Sequence, residues 1–217
     1  MIFGKIEYLN LLPFHIFMKR FTKNTQQSMS MHYKRSVPAK INKEFLSRRI
    51  DAAFISSISA TKSKHVNLGI IAKEEVLSVL VIPSTNDLSD AESATSNILV
   101  KILNIKGEVL IGDKALKYYL SGKPYIDLAK EWNKKYNLPF VFALLCFHKD
   151  KKLYKSIEKN FLKQKVKIPQ YILKQASYRT DIDAKDILHY LKYISYELDP
   201  KAKKGLTKFY KEISKIK

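Results

Sequence analysis

Apolar residues along this chain come in two rhythms, and the change from one to the other predicts the architecture. Up to Phe147, short apolar runs stand apart from one another: IFGKIEYL (2–9), IDAAFISS (50–57), NLGIIA (67–72), VLSVLVIPS (76–84), EVLIGD (108–113) and PFVFALLCF (139–147). Each has the length and bounding polar residues of a buried strand. Helical spacing fills the gaps. Pro38 followed by AKINKEFLSRR predicts a helix starting near Val37 or Pro38, with Ile41, Phe45 and Leu46 on one face and Arg48 and Arg49 in its last turn. Thr95 and Ser96 precede ILVKILNI, Asp113 precedes KALKYYLSG, and Asp127 precedes LAKEWNKKYN, so each of these helices has a capping residue at its start. Strands alternating with helices in this way indicate an α/β fold. After Asp150 the rhythm is helical throughout, in LYKSIEKNFLKQ, IPQYILKQASY, AKDILHYLKYISYEL and AKKGLTKFYKEISKI. In the third of these Ile187, Leu188, Leu191, Ile194 and Leu198 form one stripe at helical spacing.

Composition narrows the class. With 217 residues, 46% of them hydrophobic, the chain can bury a proper core and is not expected to be disordered. Its one cysteine, Cys146, lies in an apolar run and reads as a buried, inert thiol. The opening MIFGKIEYLNLLPF enters a strand pattern without a basic or long apolar leader, and charged residues interrupt every apolar run before it reaches the ~20 residues of a membrane span. A cytoplasmic protein without membrane insertion is expected. The formal net charge of +20 attracts anions of many kinds. Of that excess, 19 Lys and Arg against 8 Asp and Glu lie between Lys149 and Lys217, spaced singly along helical patterns. Solvated helix faces explain such spacing, and no nucleic-acid-binding motif accompanies it, so no specific nucleic-acid partner is expected.

Five stretches together resemble the chorismate dehydratase family of the futalosine route to menaquinone: EYLNLLPF (7–14), IDAAFISS (50–57), VLSVLVIPS (76–84), SATSNILVKIL (93–103), and VLIGDKAL with DLAKEWNKKYNLPFVFALLCF (109–147). Their order and approximate spacing match. Two connections are short for that family, before Pro38 and from Ile105 to Glu108, and Arg48 and Arg49 stand where a glycine-containing turn is usual. The resemblance implies a two-lobed fold like type II periplasmic binding proteins, with a ligand cleft between lobes. Residues 1–83 and 145–217 would form the larger lobe and 84–144 the smaller, with VLSVLVIPS and PFVFALLCF as the crossing strands. It also implies a carbon–oxygen lyase that takes chorismate, a dianion, and needs neither cofactor nor metal. The five histidines show no metal-ligand spacing, and no glycine-rich phosphate loop is present.

Candidate site residues follow from that reading. Asn10 and Ser78 would be catalytic, meeting the departing hydroxyl; by local pattern Asn10 is a turn residue and Ser78 a small polar residue tolerated in a strand. Ser56, Ser57, Thr95, Ser96 and Asp113 would contact substrate. Thr95 and Ser96 at a helix start could cradle a carboxylate or simply cap. Ser56 and Ser57 end a strand at the expected cleft rim, where a plain turn is equally common. Asp113 could hold backbone at a helix start or position substrate-binding donors. No matched position offers an obvious base, so the enolpyruvyl carboxylate of the substrate is expected to take the ring proton itself. Two alternatives remain: the naphthoate-forming sister enzyme, whose active-site histidine has no convincing counterpart here, and a non-catalytic intracellular module that binds small anions.

Overall fold

The computed structural model describes residues 1–23, 31–84 and 88–216. In chain order its elements are β1 (Ile2–Lys5), a 3-10 turn (Leu9–Leu11), α1 (Leu12–Lys23), β2 (His32–Arg35), α2 (Pro38–Leu46), β3 (Ala52–Ser56), β4 (His65–Ala72) and β5 (Val79–Ile82). Then follow α3 (Ala94–Leu103), β6 (Glu108–Ile111), α4 (Gly112–Leu120), β7 (Ile126–Asp127), α5 (Leu128–Tyr136) and β8 (Phe140–Phe147). The chain closes with α6 (Lys151–Lys163), α7 (Gln170–Thr180), α8 (Ala184–Tyr190), a 3-10 turn (Leu191–Tyr193), β9 (Ser195–Glu197) and α9 (Pro200–Ile213).

Two sheets result. The large one has six strands in the order β2-β1-β3-β8-β4-β9, and the small one three in the order β6-β5-β7. β1 lies parallel to β2 and β3, whereas β8 is antiparallel to β3 and β4, and the small sheet is antiparallel throughout. The inner strands β3, β4 and β8 are largely apolar and buried on both faces, whereas the edge strands β2 and β9 are polar and exposed or half-buried. One layer is aromatic: Phe14 of α1 meets Phe54 of β3 edge-on at 4.9 Å and Phe161 of α6 at 5.3 Å.

The chain passes between sheets twice, from β4 to β5 and from α5 to β8. Sheet membership moves both expected edges. β5, assigned to the larger lobe by a boundary at 83, pairs in the small sheet, while β8 lies wholly in the large one. The C-terminal helix α9 presses on the second passage so closely that a Cβ at Gly205 would stand 2.1 Å from the Pro139 carbonyl oxygen.

Three helical expectations need correction. The stripe from Ile187 to Leu198 is not one helix: α8 ends at Tyr190, and Ser195–Glu197 instead pairs with β4 through Leu68 and Ile71. Tyr190, Ile194 and Leu198 are buried by that arrangement, but Leu188 is 45% exposed, so an unpaired sheet edge won over helix continuation. In α2 the buried residues are Ile41, Asn42, Glu44 and Phe45, while Leu46 is exposed. Arg48 and Arg49 fall beyond that helix, and Arg48 has φ 58°, the left-handed conformation for which a glycine would ordinarily serve. The short connection before Pro38 contains β2, and its residues 24–30 lie outside the described ones. Helix α3 begins at Ala94 with Ser93 as its cap, so Thr95 and Ser96 are inside its first turn rather than before it.

Candidate active site

Between the sheets lies a cleft of about 90 Å³. Ile6, Phe54, Ile70, Val79 and Phe142 make its walls mostly apolar. Asn10, Ser56 and Ser78 reach it from three separate parts of the chain and Thr95 and Ser96 from the first turn of α3, so five of the seven residues singled out in the sequence converge. Ser57 and Asp113 do not line it. Strand alternation turns Ser57 away from Ser56 and into the core, where its hydroxyl donates to the Val141 carbonyl at 2.5 Å.

Hydroxyl bookkeeping shows what each group has left to offer. Ser78 Oγ accepts from the Tyr190 hydroxyl at 2.8 Å, which leaves the Ser78 proton free to be donated into the cleft. Thr95 Oγ1 accepts from the Ile58 amide at 3.2 Å and Ser96 Oγ from the Ser93 hydroxyl at 2.6 Å, so both also keep a proton to donate. Ser56 differs: it accepts from Asn42 Nδ2 at 2.8 Å and donates to Ser59 at 3.1 Å, and its proton is committed. The Asn10 carboxamide lies beside Tyr190, and its Oδ1 is buried with no protein partner among the described residues. The cleft therefore offers donors at Ser78, Thr95 and Ser96 and an acceptor at Asn10.

Backbone conformation aims Ser78. The residue before it, Leu77, is buried with φ 60°, which is costly for a branched side chain. Asp127 holds it there. Its Oδ2 accepts from the Val76 and Leu77 amides at 2.9 and 2.8 Å, and its Oδ1 accepts from Ala129 and Lys130 at 2.9 and 3.1 Å, capping α5. Burial pushes the Asp127 carboxyl above the usual carboxylate range, and these four amides pull the other way.

Helix α3 brings its N-terminus to the opposite end of the cleft. Ser93 accepts from the Ser96 amide at 3.2 Å, and no acidic residue occupies the first turn. Ala94 and Thr95 amides meet no protein acceptor among the described residues. A helix start of this kind, with Thr95 and Ser96 buried and hydroxyls beside the free amides, favours an anion.

The rim ties the halves together. Tyr8 donates to Glu92 at 2.5 Å, and the Leu9 amide donates to Asp113 Oδ1 at 2.9 Å. Asp113 thus holds the turn that carries Asn10 and pairs through Oδ2 with Arg179 at 3.2 Å, so of its two expected roles the structure displays the backbone-holding one. Gly112, at φ 65°, lies flat against the Tyr8 ring, where a Cβ would stand 2.7 Å from it. Outside this clasp a broader depression of about 580 Å³ carries Arg35, Lys114, Lys117 and Arg179 interleaved with Glu7, Asp90, Glu92 and Asp113, and Arg35 and Arg179 pair with Glu7 and Asp113 there.

Tyr8, Asn42, Glu92 and Tyr190 escaped the sequence reading. Asn42 carried a signal, a polar residue on the apolar face of α2; Glu92 and Tyr190 reach the site only through tertiary contacts. His15, close to a motif, is half-buried with its Nε2 against the Ile6 carbonyl at 2.8 Å, and desolvation of the ring holds its imidazole down to about 4, so it is neutral near pH 7. Among the described residues no group of three or more His, Cys, Asp or Glu could hold a metal ion. No helix among them is long and apolar enough to cross a membrane.

Two sheets with their helices, two connecting passages and a cleft between them define the class of periplasmic-binding-protein-like folds. An Archaeoglobus fulgidus protein solved by crystallography superposes with a TM-score of 0.74 at 12% identity, covering 99% of this chain and 96% of that one. The periplasmic aliphatic sulphonate binding protein of Escherichia coli gives 0.55 at 12%, covering 97% and 86%. The chain itself belongs to the menaquinone biosynthesis family, which it matches over residues 1–107 and 104–215. It is 48% identical over 215 residues to a Campylobacter jejuni protein named chorismate dehydratase, covering 97% of this chain and 96% of that one.

Proposed function

We propose that the cleft binds chorismate and eliminates water from it, giving 3-[(1-carboxyvinyl)oxy]benzoate for menaquinone biosynthesis, so that the protein is a carbon–oxygen lyase of the hydro-lyase class. The observation that carries this reading is the meeting of the Ser78 donor and the Asn10 acceptor inside an apolar cleft that ends in the open N-terminus of α3. Nearly half-identity with the Campylobacter protein over almost the full chain supports it.

In this mechanism the ring carboxylate rests on α3, receiving the Ala94 and Thr95 amides and the Thr95 and Ser96 hydroxyls. The departing ring hydroxyl donates to Asn10 Oδ1 and accepts from Ser78. The enolpyruvyl carboxylate takes the neighbouring ring proton, the C–H electron pair enters the ring, and the C–O pair leaves with the hydroxyl. Proton and hydroxide make the released water. Ser78 stabilises the charge growing on the leaving oxygen, and apolar walls strengthen that interaction by excluding solvent. Ser56, locked to Asn42 and Ser59, shapes the floor, and Ser57 and Asp113 hold backbone around the site.

The enclosed space of about 90 Å³ is below the ~300 Å³ at which small-molecule pockets begin, so the substrate enters an opened form. We read β5 to α5 as the smaller lobe, hinged on the two passages and released when Tyr8 and Glu92 part. Chorismate is the only partner this reading requires, and the cytosol is its setting. Incubation of the purified protein with chorismate, followed by mass detection of the aromatic ether, tests it. Turnover is expected; binding without turnover would make the protein an anion-binding module.

A further inference from the structure

Tyr190 does not touch the cleft, yet its hydroxyl ends 2.8 Å from Ser78 Oγ in a fully protein-lined setting. It comes from the last turn of α8, far from Ser78 in sequence, and is only 2% exposed. A serine hydroxyl rotates freely and can present either its proton or its lone pairs. A phenol has one proton to give, and a buried one must give it. Burial raises the Tyr190 pKa, the hydrogen bonds with Ser78 and Asn10 oppose it and the nearby Asp113 and Asp127 carboxylates add to it, and burial wins, so the phenol stays protonated. The Asn10 carboxamide is its other polar neighbour.

We propose that Tyr190 is a positioning residue for the elimination: by occupying the acceptor side of Ser78 it fixes that hydroxyl as a donor to the leaving oxygen. This rests on the dehydratase reading above. Donation into Ser78 also polarises its O–H, so the chain Tyr190 to Ser78 to leaving group tightens as negative charge develops. A tyrosine placed only to satisfy its own hydroxyl would need any acceptor. This one takes the side chain that follows the strained Leu77 and lines the same cleft as Asn10.

The test is a double-mutant cycle of Tyr190→Phe and Ser78→Ala, with kcat and KM for chorismate and thermal unfolding of each variant. Phenylalanine keeps the ring in its packing, so the variant folds. Tyr190→Phe should lower kcat by about 10-fold or more with KM changed by less than about 3-fold, and should cost nothing further in the Ser78→Ala background. Wild-type kcat in Tyr190→Phe, or an equal loss in both backgrounds, would overturn the proposal, the second outcome marking a purely structural role. An inactive wild-type protein would sink the dehydratase reading and this proposal with it. Full activity in Ser78→Ala would leave that reading standing and remove only the route through Ser78.

Discussion

Helices α3 and α5 both start beside the small sheet with part of their first turns buried, and they are closed in opposite ways. At α5 a carboxylate, Asp127, consumes two amides of the helix and two of the passage from β4 to β5. At α3 only the neutral Ser93 caps, and the first turn keeps free amides and hydroxyl protons beside the cleft. The same element therefore serves as a tie in one place and as an anion receptor in the other. What separates them is whether the protein supplies the negative charge or leaves it to a ligand.

Removing the charge that closes α5 should have the largest effect. Asp127→Ala orphans four amides and frees Leu77 from its strained conformation, so stability should fall by about 3–5 kcal/mol, read as a lower midpoint in urea unfolding. Adding a charge where α3 is open should act on binding instead. Ser93→Asp keeps a good cap, so unfolding should change by less than about 0.5 kcal/mol. Its carboxylate would repel that of the substrate, and KM for chorismate should rise by about 10-fold or more. An unchanged KM would break the comparison, because α3 would then not be the receptor. The smallest effect is expected at the rim. Glu92→Gln can still accept from Tyr8 but removes a like charge near α3, so KM should fall by about 2- to 5-fold with kcat nearly constant, the pattern for a group that acts on binding alone.

How much of this the sequence disclosed depends on whether a residue's role is local. The six apolar strands were legible because each is a continuous run between polar boundaries. His32–Arg35, Ile126–Asp127 and Ser195–Glu197 were not, being short and set at sheet edges, where pairing rather than hydrophobicity defines a strand. In the site, Asn10, Ser56, Ser78, Thr95 and Ser96 were found through motif resemblance, and the cleft gathers them. Ser57 was drawn in as the neighbour of Ser56, which strand alternation forbids. Tyr190 was hidden because the stripe from Ile187 to Leu198 spaced its apolar residues like one long helix, masking the turn that carries Tyr190 to Ser78.

Single-turnover loss of chorismate in the wild-type protein and in Asn10→Ala and Ser78→Ala tests the central claim most directly, that donor and acceptor meet the leaving hydroxyl in this cleft. Each substitution should slow the chemical step by about 10²-fold or more while leaving thermal unfolding nearly unchanged, as expected for groups that stabilise developing charge. Wild-type rates in both variants, with the aromatic ether still formed, would contradict the claim.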